Sequence, residues 1–232
     1  DVVLMNPPYG GNEKSDVKSH FPSDMRSSET ADLFMVLIMY RLKKNGRAAV
    51  IVPDGFLFGA DNTKIAIKTK LLRDFNLHTI IRLPGSIFAP YTSIATNILF
   101  FDNTCAEGAP EGYSTKETWF YRLDMPEGYM HFSKTKPMKS EHCDPIREWW
   151  NDRKEIIIAD GDEKSRCYPV QELIDSDCNF DLCKFPKEDE EILPPAELLA
   201  DYFKKRKALD HEIDKTLAEI QRILGIKINI EE

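Results

Sequence analysis

The stretch DVVLMNPPYGG, residues 1–11, runs four apolar residues, Val2 to Met5, straight into an asparagine, two prolines and a tyrosine. A short apolar run bounded by breakers reads as a strand buried on both faces, the pattern of a parallel sheet covered by helices. Pro7 and Pro8 end it, because neither has a backbone N–H to give to a neighbouring strand. Open α/β sheets bind ligands outside the carboxyl ends of their strands. Residues 6–9 therefore read as an active-site loop.

The same grammar returns in RAAVIVPDGFLF, residues 47–58, a hydrophobic strand that stops at Pro53. Between the two lie a polar, turn-rich loop and then SSETADLFMVLIMYRLKKNG, residues 27–46, which reads as a helix apolar on more than one face. Ser27 or Ser28 can cap it, Lys43 and Lys44 suit its negative end, and Gly46 is its stop. NTKIAIKTKLLRDF, residues 62–75, supplies the next helix, and LHTIIRLPGSIF, residues 77–88, the third strand. Strand, helix, strand, helix implies parallel crossovers and an α/β fold. SIATNILFFD (93–102) and ETWFYRLD (117–124) read as two further strands, close enough in sequence to be antiparallel edge strands.

Composition excludes several classes. With 42% hydrophobic and 30% charged residues the 232-residue chain is globular, and its longest apolar run, LFMVLIMY, falls short of the roughly 20 residues that span a bilayer. Five cysteines without a C-x-x-C pair argue against a disulfide framework or zinc ribbon and for a reducing cytoplasm. His142 and Cys143 with Cys178 and Cys183 fit no common metal spacing, and Asp175 and Asp177 read as a solvated loop. Net charge −8 and a pI near 5.3 argue against a protein that grips nucleic acid unaided. The basic runs KKRK (204–207) and KTKPMK (134–139) read as solvated, with phosphate contact as the alternative. With no initiating Met and a strand at its first residues, the chain is expected to be a fragment.

Asn-Pro-Pro-Tyr suits the methylation of an exocyclic amino group. The lone pair of such a nitrogen is delocalised into its ring, so the nitrogen is a poor nucleophile, and hydrogen-bond acceptors must activate it. The Asn6 side-chain oxygen and the Pro7 carbonyl can each take one amino proton and stabilise the positive charge that develops as the methyl arrives. Pro7 and Pro8 hold that carbonyl in a fixed direction, and Tyr9 offers a ring on which a base rotated out of a duplex can stack. The plainer alternative is a proline-terminated strand with an incidental aromatic.

NPPY (6–9), NGRAAVIVPDGFLF (45–58), IIRLPGSIFAPYTSIATNILFF (80–101), NFDL (179–182) and the terminal helix occur together in an order that resembles the methylation subunit of a type I restriction-modification system. That family comprises DNA adenine methyltransferases that use S-adenosylmethionine. The resemblance implies the carboxyl-terminal half of a Rossmann-like methyltransferase sheet with antiparallel edge strands, beginning at the catalytic motif and followed by a helical extension. It implies that Asn6, Pro7, Pro8 and Tyr9 receive the adenine, that Phe88 is a second aromatic on the base's other face, and that Asp32 and Phe34 border the cofactor. A lone Phe after a strand and an apolar helix are by default core. The family's glycine-rich cofactor loop precedes its NPPY, and none of the eleven glycines here forms one.

Residues 1–124 are thus expected to be the catalytic half, 125–187 a connecting region, and 188–232 a partner-docking segment. The last helix, from about Ala196 to Leu224, follows Pro194 and Pro195 and stops at Gly225; it carries Leu199, Tyr202, Leu209, Ile213, Leu217, Ile220 and Leu224 along one stripe. At about 1.5 Å per residue it is on the order of 40 Å long, and the resemblance implies that it docks on a specificity subunit that reads the DNA target, with a restriction subunit as a further partner. Two alternatives stay open: a module that assembles without catalysing, and a methyltransferase acting on a glutamine amide or on adenine in RNA.

Overall fold

The computed structural model describes residues 1–158, 161–184 and 195–224, which fall into two compact units, residues 1–187 and 188–232. In the first, the apolar runs ending at proline form strands β1 (Val2–Met5), β2 (Arg47–Pro53) and β3 (Asn76–Arg82). Between them lie helices α1 (Ser15–Lys18), α2 (Thr30–Arg41), α3 (Asp54–Phe58) and α4 (Asn62–Asp74). Then follow β4 (Thr96–Asp102), β5 (Glu117–Arg122), α5 (Asp144–Asn151), β6 (Ile156–Ile157), β7 (Glu163–Pro169) and α6 (Val170–Asp175). In the second unit the described residues form one helix, α7 (Pro195–Leu224); the expected stop at Gly225 and the residue Pro194 lie outside the described residues.

The seven strands make one mixed sheet in the order β1-β2-β4-β3-β5-β7-β6. β1 pairs with β2, and β3 with β5, in parallel, while β4 runs antiparallel between β2 and β3. β4 is therefore antiparallel but central, and β5 is neither antiparallel to β3 nor at the edge. After β3 the chain folds back into the gap beside β2 as β4, and after β4 it passes to the far side of β3, where β5 pairs with β3 in parallel. β7 and β6 form the antiparallel edge.

Helices α2 and α4 cover one face of the sheet, with Met35, Met39, Val50, Val52, Leu71, Leu77, Leu99 and Phe101 in that core. On the other face Trp149 of α5 packs with Ile81, Tyr121 and Leu123. That second layer stops short of β1, where Val2 and Leu4 are 55% and 77% exposed. The expectation of a strand buried on both faces is thus corrected: β1 pairs on one side only, and among the described residues no helix covers its outer face.

The N-terminus of α2 also departs from expectation. Glu29, and not Ser27 or Ser28, occupies the capping position. The Ser27 hydroxyl donates to the Asp32 carboxylate at 2.6 Å while its Oγ accepts from Glu29 N at 3.0 Å, and Thr30 N–H donates to Gly11 O at 3.1 Å. In α4 the capping position is filled by Asp61, whose side chain accepts from Lys64 N at 3.0 Å.

Lys68 of α4 is wholly buried, and its ammonium donates to the carbonyls of Leu57 and Gly59 at 3.0 and 2.9 Å. Burial pulls its pKa down to about 8, against an ordinary lysine value of 10.5. Between those values the unfolded chain binds the extra proton, so this group's contribution to stability rises as pH climbs through that window, by up to ~3 kcal/mol. The difference in unfolding free energy between the parent and Lys68→Met, followed by denaturant titration, is expected to grow from pH 8 to pH 10. A difference that stays flat would show that Lys68 titrates in the fold as it does in the unfolded chain.

Candidate active site

Because β1, β2, β3 and β5 are mutually parallel, their carboxyl ends lie along one edge of the sheet. Asn6 leaves β1 at that edge, exposed, with Pro7 buried behind it, Pro8 exposed and Tyr9 half-buried. The Tyr9 hydroxyl folds back and donates a short hydrogen bond to Asn6 Oδ1. An amide oxygen has two lone pairs, so this contact orients the carboxamide and leaves one acceptor site open. Burial pushes the Tyr9 phenol up to about 12, so the hydroxyl keeps its proton at neutral pH.

The loop after β3 brings in Phe88. Its base is clamped by two backbone bonds, Leu83 N to Thr96 O and Asp54 N to Ala95 O, each at 3.0 Å. The Phe88 carbonyl accepts from Tyr91 N at 2.9 Å and Thr92 N at 3.3 Å, which makes the turn compact. Phe88 is half-buried, and its ring lies 6.4 Å from that of Tyr9 at an angle of 54°. Two aromatic rings and one oriented amide oxygen thus meet at the strand ends.

The N-6 DNA Methylase family model matches residues 1–192. The chain belongs to the N-6 DNA methylase family. It is 41% identical over 228 residues, 97% of its length, to the type I restriction enzyme EcoEI methylase subunit of Escherichia coli. Among solved structures it resembles a modification subunit assigned to a type I restriction enzyme of Vibrio vulnificus YJ016, at 40% identity and a TM-score of 0.69 over 84% of the chain. A chain from a type I R-M system assembly matches at 33% identity and a TM-score of 0.66 over 99% of the chain. The chain spans 44% of the length of the first relative and 40% and 46% of the two solved chains.

In this N-6 DNA methylase family chain, Asp32 sits in the first turn of α2 with no exposed surface. Its Oδ2 accepts from Ser27 and lies 3.1 Å from Lys64 Nζ, which also meets Glu29 at 2.6 Å. Among the described residues its Oδ1 has no hydrogen-bond partner. Burial raises the Asp32 pKa, against the Ser27 hydrogen bond and the Lys64 charge, which lower it. Phe34 is half-buried on the same helix. The structure does not place either of these two against the Tyr9–Phe88 pair.

A polar network at the same strand edge was not anticipated from the sequence. Asn97 Nδ2 donates to Asp54 Oδ1 at 2.6 Å, Arg82 lies 3.6 Å from Asp54 Oδ2, and Arg82 also bonds Asp181 of the NFDL segment. Arg122, 1% exposed, holds Asp162 with both terminal nitrogens at 2.7 Å. Phe180 is wholly buried and its N–H donates to Leu57 O at 3.1 Å. NFDL therefore acts as a clasp across the ends of β2 and β3. The available signal was an Asp, Arg or Asn at the end of each apolar run. Among the described residues no His, Cys, Asp and Glu cluster is placed to hold a metal, and no helix is long and apolar enough to cross a membrane.

Proposed function

We propose that the protein transfers a methyl group from S-adenosylmethionine to the exocyclic amino group of adenine in DNA, as part of a restriction-modification system of the bacterial cytoplasm. The observation that carries this reading is the oriented Asn6 carboxamide at the end of β1 beside the Tyr9 and Phe88 rings. Bound S-adenosylmethionine would supply a methyl group on a positively charged sulfur. Of the residues expected to border it, Phe34 is half-buried and can line that site. Asp32 is wholly buried, and its unpartnered Oδ1 can accept one donor if the start of α2 opens to the cofactor.

In this mechanism Tyr9 and Phe88 stack on a flipped adenine and hold its ring plane. Asn6 Oδ1, with one lone pair taken by the Tyr9 hydroxyl, and the Pro7 carbonyl accept the two amino protons. Both acceptors gain strength as the amino nitrogen turns positive, so they favour the transition state over the bound base. Neither is a base at neutral pH, so the proton passes to water after transfer, when the nitrogen is cationic and acidic. Residues 1–124 carry this chemistry, 125–187 complete the sheet, and 188–232 dock a specificity subunit that selects the DNA, with a restriction subunit as a further partner.

Incubation of the full-length protein and its partners with methyl-labelled S-adenosylmethionine and DNA tests the reading. Label is expected at N6 of adenine in DNA; label on a glutamine amide or on RNA, or none anywhere, would refute it. Within the site, Tyr9→Ala should weaken binding of the flipped base by about 1–3 kcal/mol, the range for loss of base-aromatic stacking. Tyr9→Phe keeps the ring and loses only the hydrogen bond that orients Asn6, so its cost should be much smaller. Single-turnover methylation of both variants checks the order; equal losses would assign the effect of Tyr9 to its hydroxyl.

A further inference from the structure

Residues 128–140, GYMHFSKTKPMKS, carry Lys134, Lys136 and Lys139 with no carboxylate between Glu127 and Glu141, in a chain of net charge −8. The chemistry above leaves them unused. They follow the carboxyl end of β5, so they leave the sheet along the edge that carries Asn6. Phe132 anchors the segment: it is 1% exposed and stacks near Tyr129 and His142, with centroids 5.6 and 5.7 Å away. Beyond it, Ser133 and Lys136 exchange backbone bonds at 3.0 and 3.2 Å, which closes a tight turn with Lys134 and Thr135 at its tip.

The turn is braced on the loop that holds Phe88. The Phe132 N–H donates to Ser86 Oγ at 2.8 Å. Ser86 stands two residues before Phe88 and has φ 61, a left-handed backbone that an L side chain enters only when its surroundings fix it. All three lysines are exposed. Lys134 and Lys136 make no ion pair among the described residues, and Lys139 meets only Glu141, at 3.3 Å on open surface, a pairing of little strength in water.

Three cations within six residues, on and just after a turn hydrogen-bonded to the loop that carries Phe88, match a ligand with closely spaced negative charges. A nucleic-acid strand offers one phosphate per about 3.4 Å of rise, and phosphate contacts set a strand's register without reading its sequence. Flipping rotates the nucleotide about its own backbone, so the phosphates flanking the target must pass close to the loop that receives the base. We propose that the 133–139 turn grips the phosphates beside the target adenine and registers that strand against Tyr9 and Phe88. This rests on the DNA-methylation reading above.

The test uses Lys134→Gln, Lys136→Gln and Lys139→Gln together, in the full-length protein assembled with its partners, on a duplex whose methylated site has been mapped with the parent. Each lost phosphate contact should flatten the slope of log K against log salt by about 0.9, so a change of about 2 to 3 is expected. KM for DNA should rise at least tenfold at physiological salt, with kcat within about twofold of the parent and S-adenosylmethionine affinity unchanged. A parental slope in the variant would overturn the proposal and leave the methylation reading standing. An unchanged slope with weakened subunit association would overturn it too, and assign the turn to a protein contact. A parent that methylates no DNA would refute the methylation reading and this inference with it.

Discussion

Replacing Asn6 with alanine is expected to lower methyl transfer by at least ~10²–10³-fold, the usual loss when one preorganised group that meets developing charge is removed. The side chain is exposed at the end of β1, and its one side-chain hydrogen bond among the described residues is with the Tyr9 hydroxyl. Its removal should therefore leave the fold intact, with stability changed by less than about 1 kcal/mol. Affinity for S-adenosylmethionine should also survive, since in the proposed mechanism Asn6 meets only the amino group. Asn6→Asp keeps an acceptor oxygen in place, and faster transfer is expected from it than from Asn6→Ala. Pro7→Ala retains the carbonyl and loses the ring that fixes φ near −65°; misdirection of that acceptor should abolish transfer as well. Rates come from single-turnover label transfer, with thermal unfolding and cofactor titration as controls. Transfer by Asn6→Ala at the parental rate would remove the acceptor mechanism, and a loss shared equally by Asn6→Asp and cofactor binding would point to a damaged loop.

Much of the sheet is legible because each of the first three strands is an apolar run stopped by proline or by the Asn-Pro step, a local signal. What stays hidden depends on neighbours. Val2 and Leu4 carry the pattern of a two-sided burial that this sheet does not provide, since β1 pairs only with β2. β4 and β5 are recognisable as strands, yet their partners follow from which gap each connection can reach. Strand β7, EKSRCYP, has too many charges to announce itself, and it forms because Glu117 to Tyr121 of β5 offer it a ladder. Ser27 has the residue type of a cap, but it sits two residues before the capping Glu29, accepts from Glu29 N, and gives its proton to a buried carboxylate five residues on. At the site, Asn6 to Tyr9 is a contiguous motif and could be read directly. Nothing local in the sequence couples Phe88 to Tyr9, or Lys134 to Phe88, because only the shared strand edge brings those loops together.

The terminal helix carries the second large expected effect. Over α7 the apolar residues Leu209, Ile213, Leu217 and Ile220 recur in steps of four, four and three, a rhythm that suits packing along another helix better than packing on a sheet. These four side chains are 42–59% exposed, and a stripe of that length on a 30-residue helix is more apolar surface than a solvated helix needs. Docking on helices of the proposed specificity subunit would bury it. Changing Leu209, Ile213 and Ile220 together to serine removes three apolar contacts worth about 1.5–3 kcal/mol each when fully buried. Even the low end is about 4 kcal/mol, on the order of a thousandfold in Kd, so association with the specificity subunit should fall below detection at micromolar concentration. The sheet unit should unfold at the parental temperature, because the three residues lie in the other compact unit. Size-exclusion chromatography with the subunit and calorimetry of the chain alone separate the two effects. Unchanged affinity would end the docking proposal, and unfolding of the sheet unit would show that the stripe supports this chain's own fold.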